Sequence, residues 1–135
     1  MITLKTLPTA TAQEVFDQVS NHLLTQMKRS MADDTDDHSG CMYKNPEGLR
    51  CAAGCLISPE EYQEALDKDK SFSNKGFEFK TWNVLVQYKM VPSQHSQLIR
   101  DLQEIHDATD PIAWGIALGM VAKGYNLTFN FTGPQ

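Results

Sequence analysis

Helix starts and stops are written into this sequence more plainly than anything else. Thr11-Ala-Gln-Glu14 has a threonine and a glutamate three residues apart, which can bond each other's backbone N–H at a helix N-terminus. Val15, Phe16, Val19, Leu23 and Met27 follow at helical spacing. A helix is expected to run to about Arg29, whose charge suits a helix C-terminus. Ser58-Pro-Glu-Glu61 combines an N-cap serine, a proline in the first helical position and a glutamate in the third, predicting a short helix to about Asp67. Residues 81–90 carry two periods: Trp82, Leu85 and Val86 suit a helix, while Val84, Val86 and Tyr88 suit a strand. Helix is preferred, because Val91-Pro92-Ser93 ends it and opens the next one. On that next helix His95, Leu98, Ile99, Leu102, Ile105 and His106 share one face. Asp110, Pro111 and Gly124 bracket the last. Its residues Ile112, Trp114, Ile116, Leu118, Met120 and Val121 are apolar nearly all round, which predicts the buried central helix.

Elsewhere the period changes. Ile2 and Leu4 alternate with polar residues, as do Leu127, Phe129 and Phe131, so both ends read as half-buried strands that pair with each other. Asn45-Pro46-Glu47-Gly48 is a turn signal between short apolar flanks, which predicts a β-hairpin over residues 41–51. Residues 33–39 are an acidic polar loop, and residues 68–80 a loop of mixed charge. The expected fold is therefore α+β, a single domain over residues 1–135. It would hold four or five helices, the small hairpin and a two-stranded ribbon of the termini.

Seventeen acidic residues against twelve basic ones give a net charge of −5, which argues against a general phosphate-tracking, nucleic-acid-binding surface. The N-terminus lacks a basic leader followed by an apolar run, and no stretch is long and apolar enough for a bilayer. Cys41, Cys51 and Cys55 are an odd number of thiols, which fits a reducing cytoplasm better than a disulfide framework.

Those thiols dominate the possible chemistry. His38, Cys41, Cys51 and Cys55 are a conceivable Cys3His zinc set, since a hairpin brings its ends together. The spacing, however, lacks the two-residue gap of common zinc knuckles. Cys51 or Cys55 would be a nucleophile if a base such as His106 or His95 reached it. Adjacency of His106 and Asp107 is not expected to aim the carboxylate at the imidazole, because neighbours on a helix point apart. Simple packing is the competing reading for all three sulfurs, free cysteine being among the most buried residue types. The acidic loop fails as an EF-hand: counted from Asp33, the glycine and glutamate positions hold His38 and Lys44. Ala52-Ala-Gly54 is small enough for close approach by a helix or by a ligand. Lys44 and Arg50 with Gly54 would then line a nucleotide-type pocket, or join Lys28 and Arg29 in a small basic patch.

The segment Cys41-x-Tyr43-Lys44, Gly48-Leu-x-Cys51-Ala-x-Gly54-Cys-Leu-Ile57 resembles a group of short, uncharacterised proteins often encoded by phages and prophages. Leu102-Gln-x-Ile-His-Asp107, Val15-Phe16-Asp17 and Leu23-Leu-x-Gln26 resemble further segments of that group. The resemblance implies a mobile-element context and carries no catalytic residues. It points to an accessory or host-modulating protein that binds a protein partner, with the oligomeric state left open. A cysteine–histidine enzyme and a small-ligand binder are the alternatives.

Overall fold

The computed structural model describes residues 1–30, 48–68, 85 and 87–129. The acidic loop, His38, Cys41, Lys44, the hairpin's first arm and turn, residues 69–84, Val86 and Phe131 lie outside the described residues.

Helix α1, Ala12–Gln26, begins at the expected capping box: Glu14 donates its N–H to Thr11 Oγ1 at 3.1 Å, and Thr11 donates its N–H to Glu14 Oε1 at 2.9 Å. Its apolar stripe Val15, Phe16, Val19 and Leu23 is fully buried, each side chain contributing about 1.5–3 kcal/mol. The helix stops at Met27 rather than at Arg29, because Met27 turns left-handed (φ 53°) and closes the last turn through Leu23 O. Arg29 does serve a helix C-terminus, but that of another helix, α3, Ser93–Ala108. Its guanidinium donates to His106 O at 3.1 Å and Thr109 O at 2.9 Å.

Helix α2, Pro59–Lys68, starts at the second capping box, with Glu61 donating to Ser58 Oγ and Ser58 donating to Glu61 Oε1. Leu85 and Gln87 are helical, and Met90 donates to Leu85 O at 2.8 Å. On α3 the face His95, Leu98, Ile99, Leu102, Ile105 and His106 is buried throughout. A single 3-10 turn, Pro111–Ala113, capped by the Asp110 carboxylate, leads into α4, Trp114–Gly124. Helices α1, α3 and α4 pack pairwise on one another, and the 3-10 turn Gly54–Leu56 sits on α1.

The expectation of an α+β fold is overturned: the described residues are helical, with no strand and no sheet. Residues 48–51, the described end of the expected hairpin, contain no strand, only an isolated bridge at Arg50, and run into the turn at Ala52 and Ala53. The terminal ribbon is also absent from the described residues. Near the N-terminus the chain folds into a turn at residues 4–6, with Leu7 donating to Thr3 O at 2.9 Å.

Glutamines on α1 take the place of the missing strand partners. Gln18 accepts the Ile2 N–H at 2.6 Å and donates to Ile2 O at 2.9 Å. Gln13 does the same for Thr128 at 2.8 and 2.7 Å, and Gln26 for Arg50 at 3.0 and 2.8 Å. A carboxamide carries the same donor and acceptor as a peptide group, so it satisfies one residue's backbone as a neighbouring strand would. The alternating apolar side chains then pack on helices, as where Phe129 meets Phe16 edge-on at 5.7 Å.

The buried central helix is a further correction. Only Trp114, Leu118 and Ala122 of α4 are buried, while Ile112, Ile116 and Met120 are 86%, 75% and 72% exposed. Helices α1, α3 and α4 each pack on the other two, and α4 keeps its outer face open.

Candidate functional site

His106, fully buried on α3, is held on both ring nitrogens. Ser30 donates its N–H to Nε2 at 2.9 Å, so Nε2 is the acceptor and the proton lies on Nδ1, which meets Asp107 Oδ1 at 2.7 Å. The adjacent carboxylate is therefore aimed at the imidazole, contrary to the expectation from helix geometry. Asp107 Oδ1 also accepts from Gln103 Nε2 at 2.9 Å, and Gln103 Oε1 accepts the Ala53 N–H at 2.9 Å. Trp114 stacks on the ring with centroids 5.7 Å apart. This relay joins the segment after α1, helix α3 and the Ala52–Ala53 turn. An oriented imidazole resembles a general base, but the nitrogen that would take a proton already accepts a hydrogen bond from the Ser30 backbone N–H.

Both described thiols are buried, Cys51 completely. Cys51 Sγ accepts the Gly54 N–H at 3.3 Å, and Cys55 Sγ donates to Ala52 O at 3.2 Å. Burial raises Cys51 far above the ordinary thiol range, with Asp107 adding to the rise and the Gly54 N–H opposing it. Burial likewise pushes Cys55 up to about 12, against a pull downward from Arg50. A three-unit rise leaves roughly a thousandfold less thiolate at neutral pH. Iodoacetamide at pH 7.5 is therefore expected to label Cys51 and Cys55 at least a hundredfold more slowly than free cysteine, as read by peptide mass spectrometry. Fast labelling of either position would restore the nucleophile. Of the possible zinc set only Cys51 and Cys55 are described, and among the described residues no three metal-binding side chains cluster.

His95 donates from Nε2 to Ala10 O at 2.8 Å, and its buried Nδ1 has no hydrogen-bond partner among the described residues. Gly54 is buried, and the turn Gly54–Leu56 that it opens packs on α1. Arg29 is engaged at the end of α3, which removes it from the expected basic patch.

Arg50 does reach a concavity, an open cleft of about 580 Å³ against α1. Gln18, Asn21, His22, Thr25 and Cys55 also line it. His22 went unnoticed in the sequence. It donates from Nε2 to Arg50 O at 2.9 Å, and burial lowers its pKa. A signal existed: Gln18, His22 and Gln26 recur every four residues, forming a polar stripe beside the apolar one.

The other feature left open is the outer face of α4. Ile116 and Met120, four residues apart, stack on one side of α4, and Ile112, four residues before Ile116, is exposed on the preceding 3-10 turn. Gly119 borders the stripe, and a Cβ there would meet nothing within 4 Å, whereas a Cβ at Gly115 would meet Leu24 of α1 at 3.9 Å. Single exposed apolar side chains are commonplace, whereas a contiguous stripe of large ones marks an interaction surface. Among the described residues no helix is long and apolar enough to cross a membrane. Compared with protein-family models, with curated proteins and with solved structures, the chain matches none.

Proposed function

We propose that this protein is a non-enzymatic accessory factor that works by binding another protein chain through the outer face of α4, in the cytoplasm. The role agrees with the one implied by the resemblance to small phage-encoded proteins. One observation carries it: the exposed Ile116 and Met120, with Ile112 on the turn before them, on a helix whose opposite side anchors the core with Trp114 and Leu118. The groups that would serve catalysis point the other way. Cys51, Cys55 and His106 are buried and already hydrogen-bonded within the fold.

Ile116→Glu tests the reading. At 75% exposure the substitution is expected to change stability by less than about 0.5 kcal/mol, checked by urea unfolding. Binding is expected to fall at least tenfold, measured by affinity retention of protein from a bacterial lysate on immobilised wild-type and variant chains. Equal retention by both would refute the assignment of this face.

A second reading rests on Arg50 at the α1 cleft, where an anionic small molecule would pair with the guanidinium. A nucleotide at a hundred times its dissociation constant would add about 2.7 kcal/mol, seen as a rise in Tm that Arg50→Ala removes. No rise across a nucleotide panel disposes of it.

A further inference from the structure

We propose that the outer face of α4 pairs with the same face of a second copy of this chain, antiparallel about a twofold axis at Ile116. This rests on the reading of that face as a docking surface and names its occupant.

The exposed residues are spaced symmetrically about Ile116. With the axis at Ile116, that residue meets itself, and Ile112 lies opposite Met120 of the second copy. The exposed stripe is therefore complementary to its own reversal, large against large along its whole length. Gly119 beside it presents no side chain to hold the second helix away.

Charge selects the direction. Asp110, exposed, stands at the start of this segment and Lys123, exposed, near its end. An antiparallel pair brings each copy's Asp110 within one residue of facing the other copy's Lys123. A parallel pair would set aspartate by aspartate and lysine by lysine. The helix dipoles favour the same choice.

Area sets the strength. Three side chains at this exposure offer on the order of 400 Å² of apolar surface per copy, about half of what a standard stable interface buries on each side. The pair is thus a weak dimer, with dissociation expected at roughly micromolar to hundred-micromolar concentration.

The test is sedimentation velocity from about 5 µM to about 500 µM, a range chosen to span that affinity. Wild type is expected to shift from monomer towards dimer, and Ile116→Glu to remain monomeric throughout. Lys123→Glu and Asp110→Lys are each expected to weaken self-association at least fivefold. Mixed in equal amounts they should form a heterodimer in native mass spectrometry, since both cross-pairs are then of opposite sign. A parallel arrangement already sets like charge against like in the wild type, so neither single substitution would weaken it, and that outcome would overturn the proposed geometry. Monomeric wild type at every concentration, with Ile116→Glu still losing a different protein, would sink the second copy as occupant and leave the docking face standing. Monomeric wild type with no Ile116-dependent binding of any kind would sink both. Dimerisation indifferent to Ile116→Glu would place the contact elsewhere and likewise refute the proposal.

Discussion

Glu61→Ala is expected to cost about 3–5 kcal/mol, measured by urea unfolding, a large share of the 5–15 kcal/mol that holds a domain of this size together. Glu61 is only 2% exposed, and its carboxylate organises two distant parts of the chain. Oε1 accepts the Ser58 N–H and the Leu4 N–H, both at 3.0 Å, while Oε2 accepts the Lys5 N–H at 2.9 Å. Alanine would leave these donors without their acceptor, and an orphaned buried N–H such as that of Leu4 costs about 1–3 kcal/mol. Half of the α2 capping box would be lost as well, for about 1 kcal/mol.

The same carboxylate gives the stability a pH dependence of definite sign. Burial alone would raise the Glu61 pKa, but N–H groups of Ser58, Lys5 and Leu4 and the Thr3 hydroxyl outweigh it and hold the carboxyl below its ordinary 4.5. The unfolded chain therefore takes up this proton first on acidification. The contribution is complete above about pH 4.5 and is lost as pH falls through the lower folded value. His22 acts in the same sense at higher pH. Burial holds it below its ordinary 6.5, opposed by its bond to the Arg50 carbonyl and assisted by the Arg50 charge. Its contribution is complete above about pH 6.5 and declines below that. Acid titration of wild-type stability is thus expected to show two losses, and Glu61→Gln to flatten the lower one while leaving the upper. An unchanged lower limb in Glu61→Gln would show that this carboxylate is not the group responsible.

Trp114→Ala is the second large effect, expected at about 3–5 kcal/mol. The ring is fully buried, donates from Nε1 to Thr109 O at 2.9 Å and stacks on His106. Trp114→Phe should cost far less, about 1–2 kcal/mol, because Arg29 still donates to Thr109 O and an aromatic face remains for His106. His106→Ala strands the Ser30 N–H and is expected to cost about 3 kcal/mol. The two alanine substitutions share a contact, so their combined cost should fall short of the sum by about 0.5–1.5 kcal/mol in a double-mutant cycle. Strict additivity would mean that the ring stacking contributes nothing of its own.

The candidate site was legible in fragments. Segments 51–57 and 102–107 and helix α1, singled out separately along the chain, meet in space. Gln103 bonds Ala53, Gln18 donates to Cys55 O at 3.3 Å, and Gln26 brackets Arg50. Cysteine spacing alone could not distinguish nucleophile, ligand and packing, because all three use the same residue type. Burial and hydrogen bonding, both tertiary properties, are what bear on that choice at Cys51 and Cys55. The outer face of α4 was visible as residues but misjudged as interior, since an apolar run signals only a wish to be covered.

Helix starts at Thr11 and Ser58, the apolar stripe of α1 and the buried face of α3 were all decided within a few residues of each position. Capping and 3.6-residue periodicity are local properties, and the sequence by itself determined them. Only the tertiary structure decided which apolar faces would be covered. It also decided that Arg29 would cap α3, that Ser30 would occupy His106, and that glutamines of α1 would replace strands as partners for Ile2 and Thr128. Each of those outcomes joins residues between 16 and 115 positions apart. Local pattern states what a backbone group or an apolar side chain requires; which distant group supplies it depends on how the helices dock.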